Sequence, residues 1–123
     1  MVTIHLHRVY DTVPRPPGQA VLVERLWPRG LHRAQVAADT WQKEVAPSGE
    51  LRRWFGHDPD KWPEFRRRYF AELDARPEAW RPLLAEHDDD LILLYSARDR
   101  EHNNAVALRD YLLARQAGQE PAI

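Results

Sequence analysis

Apolar positions recur along the chain with two periods, one extended and one helical. Thr3 to Val9 places Ile4 and Leu6 on one face and His5 and His7 on the other, the two-residue period of a half-buried strand. Ala20 to Val23 and Leu91 to Leu94 are unbroken apolar runs with polar residues at both ends, which suits strands covered on both faces. Ser48 is a good N-cap for a short helix that carries Leu51, Trp54 and Phe55 and stops at Gly56. Asp58 followed by Pro59 reads as a further helix start. Trp62, Phe65, Tyr69 and Leu73 then form one stripe on a helix from about Trp62 to Ala75. Pro77 opens another helix with Trp80, Leu83 and Leu84, where Pro82 is placed to kink it. Val106, Leu108, Leu112 and Leu113 mark the last helix, with Asn103 or Asn104 as its N-cap.

The stretches between these elements are less regular. Asp11 to Gly18 contains Pro14, Pro16 and Pro17 and is a stiff extended loop. Eight extended residues reach roughly 27 Å, enough to return along a short strand, so the direction of the first strand stays open. Leu31 to Ala38 carries one or two helical turns. Asp39, Trp41, Lys43 and Val45 then alternate with Thr40, Gln42 and Glu44, the pattern of an edge strand that Pro47 ends. Asp88, Asp89 and Asp90 form a solvated turn into the Leu91 run, since consecutive carboxylates there point apart rather than toward one cation.

These elements predict an α/β fold: a small, mainly parallel sheet of about four strands flanked by helices, Rossmann-like and three-layered. Ala20–Val23 and Leu91–Leu94 are expected to be adjacent parallel strands, because both are apolar on both faces. Residues 1–118 read as a single α/β domain and 119–123 as a frayed C-terminal tail.

Composition narrows the function classes. Eighteen basic residues against nineteen acidic ones leave the chain near neutral, which removes the general attraction a nucleic-acid or membrane-surface binder shows and makes nucleic acid an unlikely partner. The most basic helical stretch, Arg66 to Arg68, is embedded in acidic and aromatic residues, so a DNA-binding regulator ranks last. The absence of cysteine excludes disulfides, thiolate nucleophiles and Cys-based metal sites. His5 and His7 share a face without an identifiable third ligand, so neither a metal nor a cofactor is expected. No signal-peptide-like run and no stretch of about eighteen apolar residues occurs, which points to a soluble, cytoplasmic protein with no membrane partner.

Both buried runs end in polar, chemically capable loops, and such loops carry ligand sites in open α/β sheets. Glu24, Arg25 and Arg29 follow the first run; Ser96, Arg98, Asp99 and His102 follow the second. If the strands are parallel neighbours these groups share a pocket. In that pocket Arg25, Arg29 and Arg98 bind an oxyanion, helped by the helix N-terminus near Asn103. Glu24, Asp99 and His102 supply the catalytic candidates, with His102 the best proton-transfer group because its ordinary pKa is closest to working pH. Ser96 is a nucleophile only with a base beside it. A structural ion-pair network closing the sheet end is the bland alternative.

At these residues the chain resembles a known family. VERLWPRG at Val23 to Gly30, WQKEVAPS at Trp41 to Ser48, ELRRWFGHDPDKW at Glu50 to Trp62 and LLYSARDREHNNAVALRDYL at Leu93 to Leu112 are similar to the YeaO-like family of uncharacterised bacterial proteins, domain of unknown function 488. The resemblance runs from Arg8 almost to the end and implies a small α/β domain with a mainly parallel sheet, without an established activity. The family pattern falls on core and site positions together, among them Arg8, Asp11, Arg25, Trp27, Arg29, Lys43, His57, Tyr95, Asp99, His102 and Asn103. Glu24 stands where relatives often have Asp, and Arg98 where they often have Lys; both keep the charge and change the reach. A larger branch of the family carries cysteines in the last loop, where this chain has Tyr95 and Asn103, so thiol chemistry does not transfer. Trp27, Trp41 and Trp54 suit either core packing or stacking on a planar ligand, and His57 suits a turn or a site.

The resulting expectation is a site for a small anionic ligand, nucleotide-like ligands included, with hydrolase or transferase chemistry open to it. The alternative is a non-catalytic ligand-binding or protein-interaction module. The pattern fixes no oligomeric state.

Overall fold

A computed structural model describes residues 2–85 and 90–122. In chain order the elements are β1 (Ile4–Arg8), β2 (Gln19–Leu22), α1 (Arg33–Val36), β3 (Thr40–Trp41), α2 (Gly49–Phe55), α3 (Trp62–Asp74), α4 (Pro77–Ala85), β4 (Leu91–Tyr95) and α5 (Asn104–Gln116), with short 3-10 turns at Lys43–Val45 and Pro59–Lys61. Asp88 and Asp89 of the expected acidic turn lie outside the described residues.

The four strands form one sheet in the order β1-β4-β2-β3, and every pair is parallel. β4 is central: Leu91 stands beside Ile4 on one side and Gln19 on the other, and Leu94 beside His7 and Leu22. The direction of β1 left open by the Pro-rich loop is therefore parallel, and β2 and β4 are adjacent as their apolar runs require.

The unbroken run of β4 has a two-sided cause. Leu91, Leu93 and Tyr95 enter one hydrophobic cluster with α2, α3, α4 and α5, while Ile92 and Leu94 enter a second with Ala20, Leu22 and Val36. Burying one such side chain fully stabilises by roughly 1.5–3 kcal/mol relative to exposure. The two faces are covered unequally. The first lies under four helices, with α5 resting on β1 and β4. Among the described residues the second is covered by the single turn α1, by Val9 and the loop residues Trp27, Leu31 and Ala38, and by Trp41 of the edge strand β3. Arg15 of the Pro-rich loop anchors that thin layer by donating to the Val36 and Ala37 carbonyls.

Local chemistry explains the boundaries. The Ser48 hydroxyl accepts the Leu51 N–H at 3.1 Å to start α2, and Gly56, with φ of 54°, ends it in the left-handed region that glycine adopts without penalty. Gly18 is required by close approach: a Cβ there would lie 2.3 Å from the Asp90 carbonyl oxygen, the acceptor of the Gln19 N–H. Among the described residues no helix is long and apolar enough to cross a membrane. After α5 the chain reaches back to α3, where Arg66 donates to the Ala122 carbonyl at 2.8 Å.

One expected element is corrected. The alternation from Asp39 to Val45 is a two-residue strand, Thr40–Trp41, followed by a 3-10 turn. The turn buries Val45 completely in the helix-side core, and the buried Tyr69 hydroxyl donates to its carbonyl. On an extended edge strand Val45 would forgo that burial, so packing overrides the alternation.

Candidate functional site

Parallel pairing of β2 with β4 brings their carboxyl ends together, and the first polar side chains beyond each meet. Glu24 Oε1 accepts the Ser96 backbone N–H at 2.9 Å and the Ser96 hydroxyl at 3.3 Å. The Glu24 backbone is fixed as well, because its carbonyl accepts the Trp41 indole N–H at 2.6 Å. Asn104 donates to the Val23 carbonyl at 2.7 Å and pins the start of α5 to the end of β2.

These contacts border a cavity of about 120 Å³. Glu24, Arg52, His57, Ser96, Asn103 and Asn104 supply its polar lining; Pro47, Phe55, Phe65 and Ala97 supply the apolar part. Burial pushes the Glu24 carboxyl above its ordinary value, outweighing the two hydrogen bonds from Ser96 and the field of the Arg52 guanidinium. Glu24 Oε2 makes no hydrogen bond among the described residues and is not fully enclosed.

Asp99, His102 and Asn103 form the cap of α5. Asp99 Oδ1 accepts the backbone N–H groups of Glu101 at 2.9 Å and His102 at 3.0 Å, while its Oδ2 lies 2.9 Å from His102 Nδ1. The Glu101 N–H, with His102 beside it, holds the Asp99 carboxyl below its ordinary value. Asn103 is the sole charged or polar residue with its side chain fully in the core among the described residues; its Oδ1 accepts the Val106 N–H and its Nδ2 donates to the Asp99 carbonyl. The His102 ring stands edge-on to Trp62, with centroids 5.4 Å apart. Of the three proton-transfer candidates, Glu24 lines the cavity, and Asp99 and His102 pair with each other outside it.

The arginines do not converge as the pattern suggested. Arg25 donates to the Pro47 carbonyl at 2.9 Å and the Ala46 carbonyl at 3.4 Å, and lines a second cavity of about 170 Å³ with Tyr69 and Glu72. Arg29 and Arg98 are exposed, and neither lines the Glu24 cavity. The cation that does is Arg52. It was readable only as the residue after Leu51, flanking the face of α2 that Leu51 and Phe55 bury.

The aromatic candidates lie outside the Glu24 cavity; the Trp54 ring, partly buried, has the Arg68 guanidinium 4.2 Å from its centroid. Trp27 donates its indole N–H to the Leu31 carbonyl at 2.7 Å and meets Trp41 edge-on at 5.3 Å; the Lys43 ammonium lies 4.1 Å from the Trp41 ring centroid. Tyr95 is buried in the helix-side core. His57 follows the α2 cap with φ of 58°, exposed and at the cavity edge. His5 Nε2 lies 2.9 Å from an Asp90 carboxylate oxygen at the opposite end of the sheet. Among the described residues no three histidine or carboxylate side chains converge to ligate a metal.

A family model whose description reads "Inactive DUF488-N3 subclade" matches residues 3–122. The chain belongs to the DUF488 family. It is 41% identical over 113 residues to the uncharacterized protein YeaO of Escherichia coli K12, covering 90% of this chain and 97% of that protein. Uncharacterized proteins of Mycobacterium bovis and Mycobacterium tuberculosis are 43% identical over 70 residues, 57% of this chain and 59% of theirs. No solved structure matches. In this DUF488 member the group beside the Ser96 hydroxyl is a carboxyl group whose second oxygen makes no hydrogen bond among the described residues, and the imidazole on the cavity wall is His57 rather than His102.

Proposed function

We propose that this DUF488 member is a non-catalytic binding module that receives a small oxyanion at the carboxyl edge of the sheet, between Glu24, Ser96 and Arg52. The observation that carries the reading is the cavity itself, a polar recess of about 120 Å³ with one guanidinium in its wall and the start of α5 beside it. Sites that enclose drug-sized ligands measure roughly 300–1,000 Å³. A carboxylate, sulfate or phosphate group matches the smaller volume, and of a nucleotide only a phosphate would enter. Recognition without turnover is favoured because the Asp99–His102 pair serves the helix cap and lies outside the recess, and the Ser96 hydroxyl is hydrogen-bonded to Glu24 rather than to the His57 imidazole on the cavity wall. The family description as an inactive subclade agrees with this reading.

Amide chemical-shift mapping with sulfate, phosphate and acetate tests the site. The expected result is a set of saturable shifts concentrated at Ser96, Ala97 and Asn103 to Ala105, weakened about tenfold or more by Arg52→Gln. Shifts scattered over the surface, or equal affinity in Arg52→Gln, would refute it. A hydrolase reading has one observation in its favour, the Glu24 carboxyl on the cavity wall, raised by burial, which suits a general acid or base. It expects turnover of a small ester that Glu24→Gln abolishes, whereas the binding reading expects none.

A further inference from the structure

The oxyanion reading brings an anion against a carboxyl group, and the geometry resolves the conflict. Glu24 Oε1 is occupied by two donors from Ser96, so the oxygen left to meet a ligand is Oε2. Glu24 and Arg52 line the same recess of about 120 Å³, so an anion that meets the guanidinium there also meets the Glu24 carboxyl. Building on the binding reading above, we propose that the oxyanion enters together with a proton, taken from solvent, held on Glu24 Oε2 and donated from there in a hydrogen bond to the ligand.

The surroundings of Glu24 support a neutral carboxyl in the complex. From α2 comes Arg52, and from the turn after it His57. From α3 come Tyr69 and Glu72; the Tyr69 hydroxyl is committed to the Val45 carbonyl, and the Glu72 carboxylate accepts the Ser48 N–H and hydroxyl. Arg25, next in the chain, is held by the Ala46 and Pro47 carbonyls. At the α5 cap Asp99 and His102 pair with each other. Arg52 is thus the cation that remains for a ligand, and with Glu24 ionised the two charges cancel. With Glu24 protonated, Arg52 and the first turn of α5 face the anion unopposed. Burial already shifts the Glu24 carboxyl toward the protonated form, so a ligand has less to add to complete the change. The ligand class follows: an oxyanion able to accept a hydrogen bond from a carboxylic acid while meeting one guanidinium.

Calorimetric titration with sulfate, which does not itself titrate near neutrality, tests this in buffers of differing ionisation enthalpy between about pH 5.5 and pH 8. Expected is uptake approaching one proton per sulfate at the upper end, with Kd rising by up to tenfold per pH unit, the limit for a single proton. Glu24→Gln should bind with an affinity independent of pH and close to that of the parent at low pH, since its amide oxygen keeps the Ser96 contacts and its N–H replaces the acid proton. His57→Gln and His102→Gln should each leave the proton count unchanged, which excludes the two nearest imidazoles if Glu24→Gln does not fold. Sulfate binding with no proton uptake overturns the inference and leaves the binding module standing. A pH dependence that survives in Glu24→Gln, or disappears in either histidine variant, assigns the proton to a group other than Glu24 and overturns it too. No sulfate binding in the parent at any pH removes the binding reading and this inference with it.

Discussion

Replacing Asn103 by Ala should loosen the whole edge of the sheet where α5 begins. The side chain is 2% exposed and makes two hydrogen bonds of different kinds. Its Oδ1 caps α5 through the Val106 N–H at 3.0 Å, and its Nδ2 holds the Asp99 carbonyl at 2.9 Å. Loss of an N-cap costs about 1 kcal/mol. Leaving the Asp99 carbonyl without its donor in a partly buried position adds about 1–2 kcal/mol. The variant should therefore lose about 2–3 kcal/mol, a drop in Tm of roughly 10 °C for a chain of this size. Asn103→Ser separates the contributions, because the hydroxyl still caps the helix but cannot reach the Asp99 carbonyl; about half the loss should return. Urea unfolding followed by far-ultraviolet circular dichroism measures both, and an unchanged m-value shows that the native state has not been reorganised. A loss below about 0.5 kcal/mol for the Ala variant, or equal losses for Ala and Ser, would refute the assignment of Asn103 as both cap and tether.

Three further outcomes follow from the same contacts. Glu24→Gln should raise stability at about pH 8 more than at about pH 4: the folded carboxyl titrates above its unfolded value, so the folded chain holds the extra proton between the two values, and the parent loses stability as pH rises through that window; equal gains at both pH values would contradict it. Gly18→Ala should cost about 3 kcal/mol or more by thermal melting, because its Cβ would lie 2.3 Å from the Asp90 carbonyl oxygen at a φ of 148°; a melt within about 2 °C of the parent would show that the loop can shift. Leu93→Ala, at a fully buried position of the central strand, should lose about 2–5 kcal/mol in chemical denaturation, and a loss under about 1 kcal/mol would mean that the core collapses onto the gap.

How much of this was legible in the sequence depended on whether a residue's role is set locally. β2 and β4 were readable because a strand covered on both faces must be apolar throughout, and their adjacency followed from the same cause. The cap at Ser48 was readable, and that of α5 as Asn103 or Asn104, because capping is a contact within one turn; the structure has Asn103. The 3-10 turn at Lys43–Val45 was not, since its cause is the distant Tyr69 and the core beneath α3. The site divides along the same line. Glu24 and Ser96 come together because both follow parallel neighbours. Arg25 leaves Glu24's side because its guanidinium finds the carbonyls of Ala46 and Pro47, twenty-odd residues on. The Asp99–His102 pair turns into the helix cap through backbone contacts that spacing does not reveal, and Arg52 enters through a packing of α2 that only the tertiary fold specifies.

The position of β4 in the sheet has a consequence for how the chain is made. β1 and β2, both near the amino end, are not paired with each other; each pairs with Leu91–Tyr95. During synthesis the ribosome releases roughly 5–20 residues per second, so these two apolar segments wait for several seconds with no strand to join. Only the weak two-residue contact between β2 and β3 can form earlier. The sheet is thus completed in one late event, when the fifth of the chain that carries β4 and its supporting helix clears the exit tunnel, and the nascent chain depends until then on helical segments or chaperones to keep its unpaired strands from meeting those of a neighbouring chain.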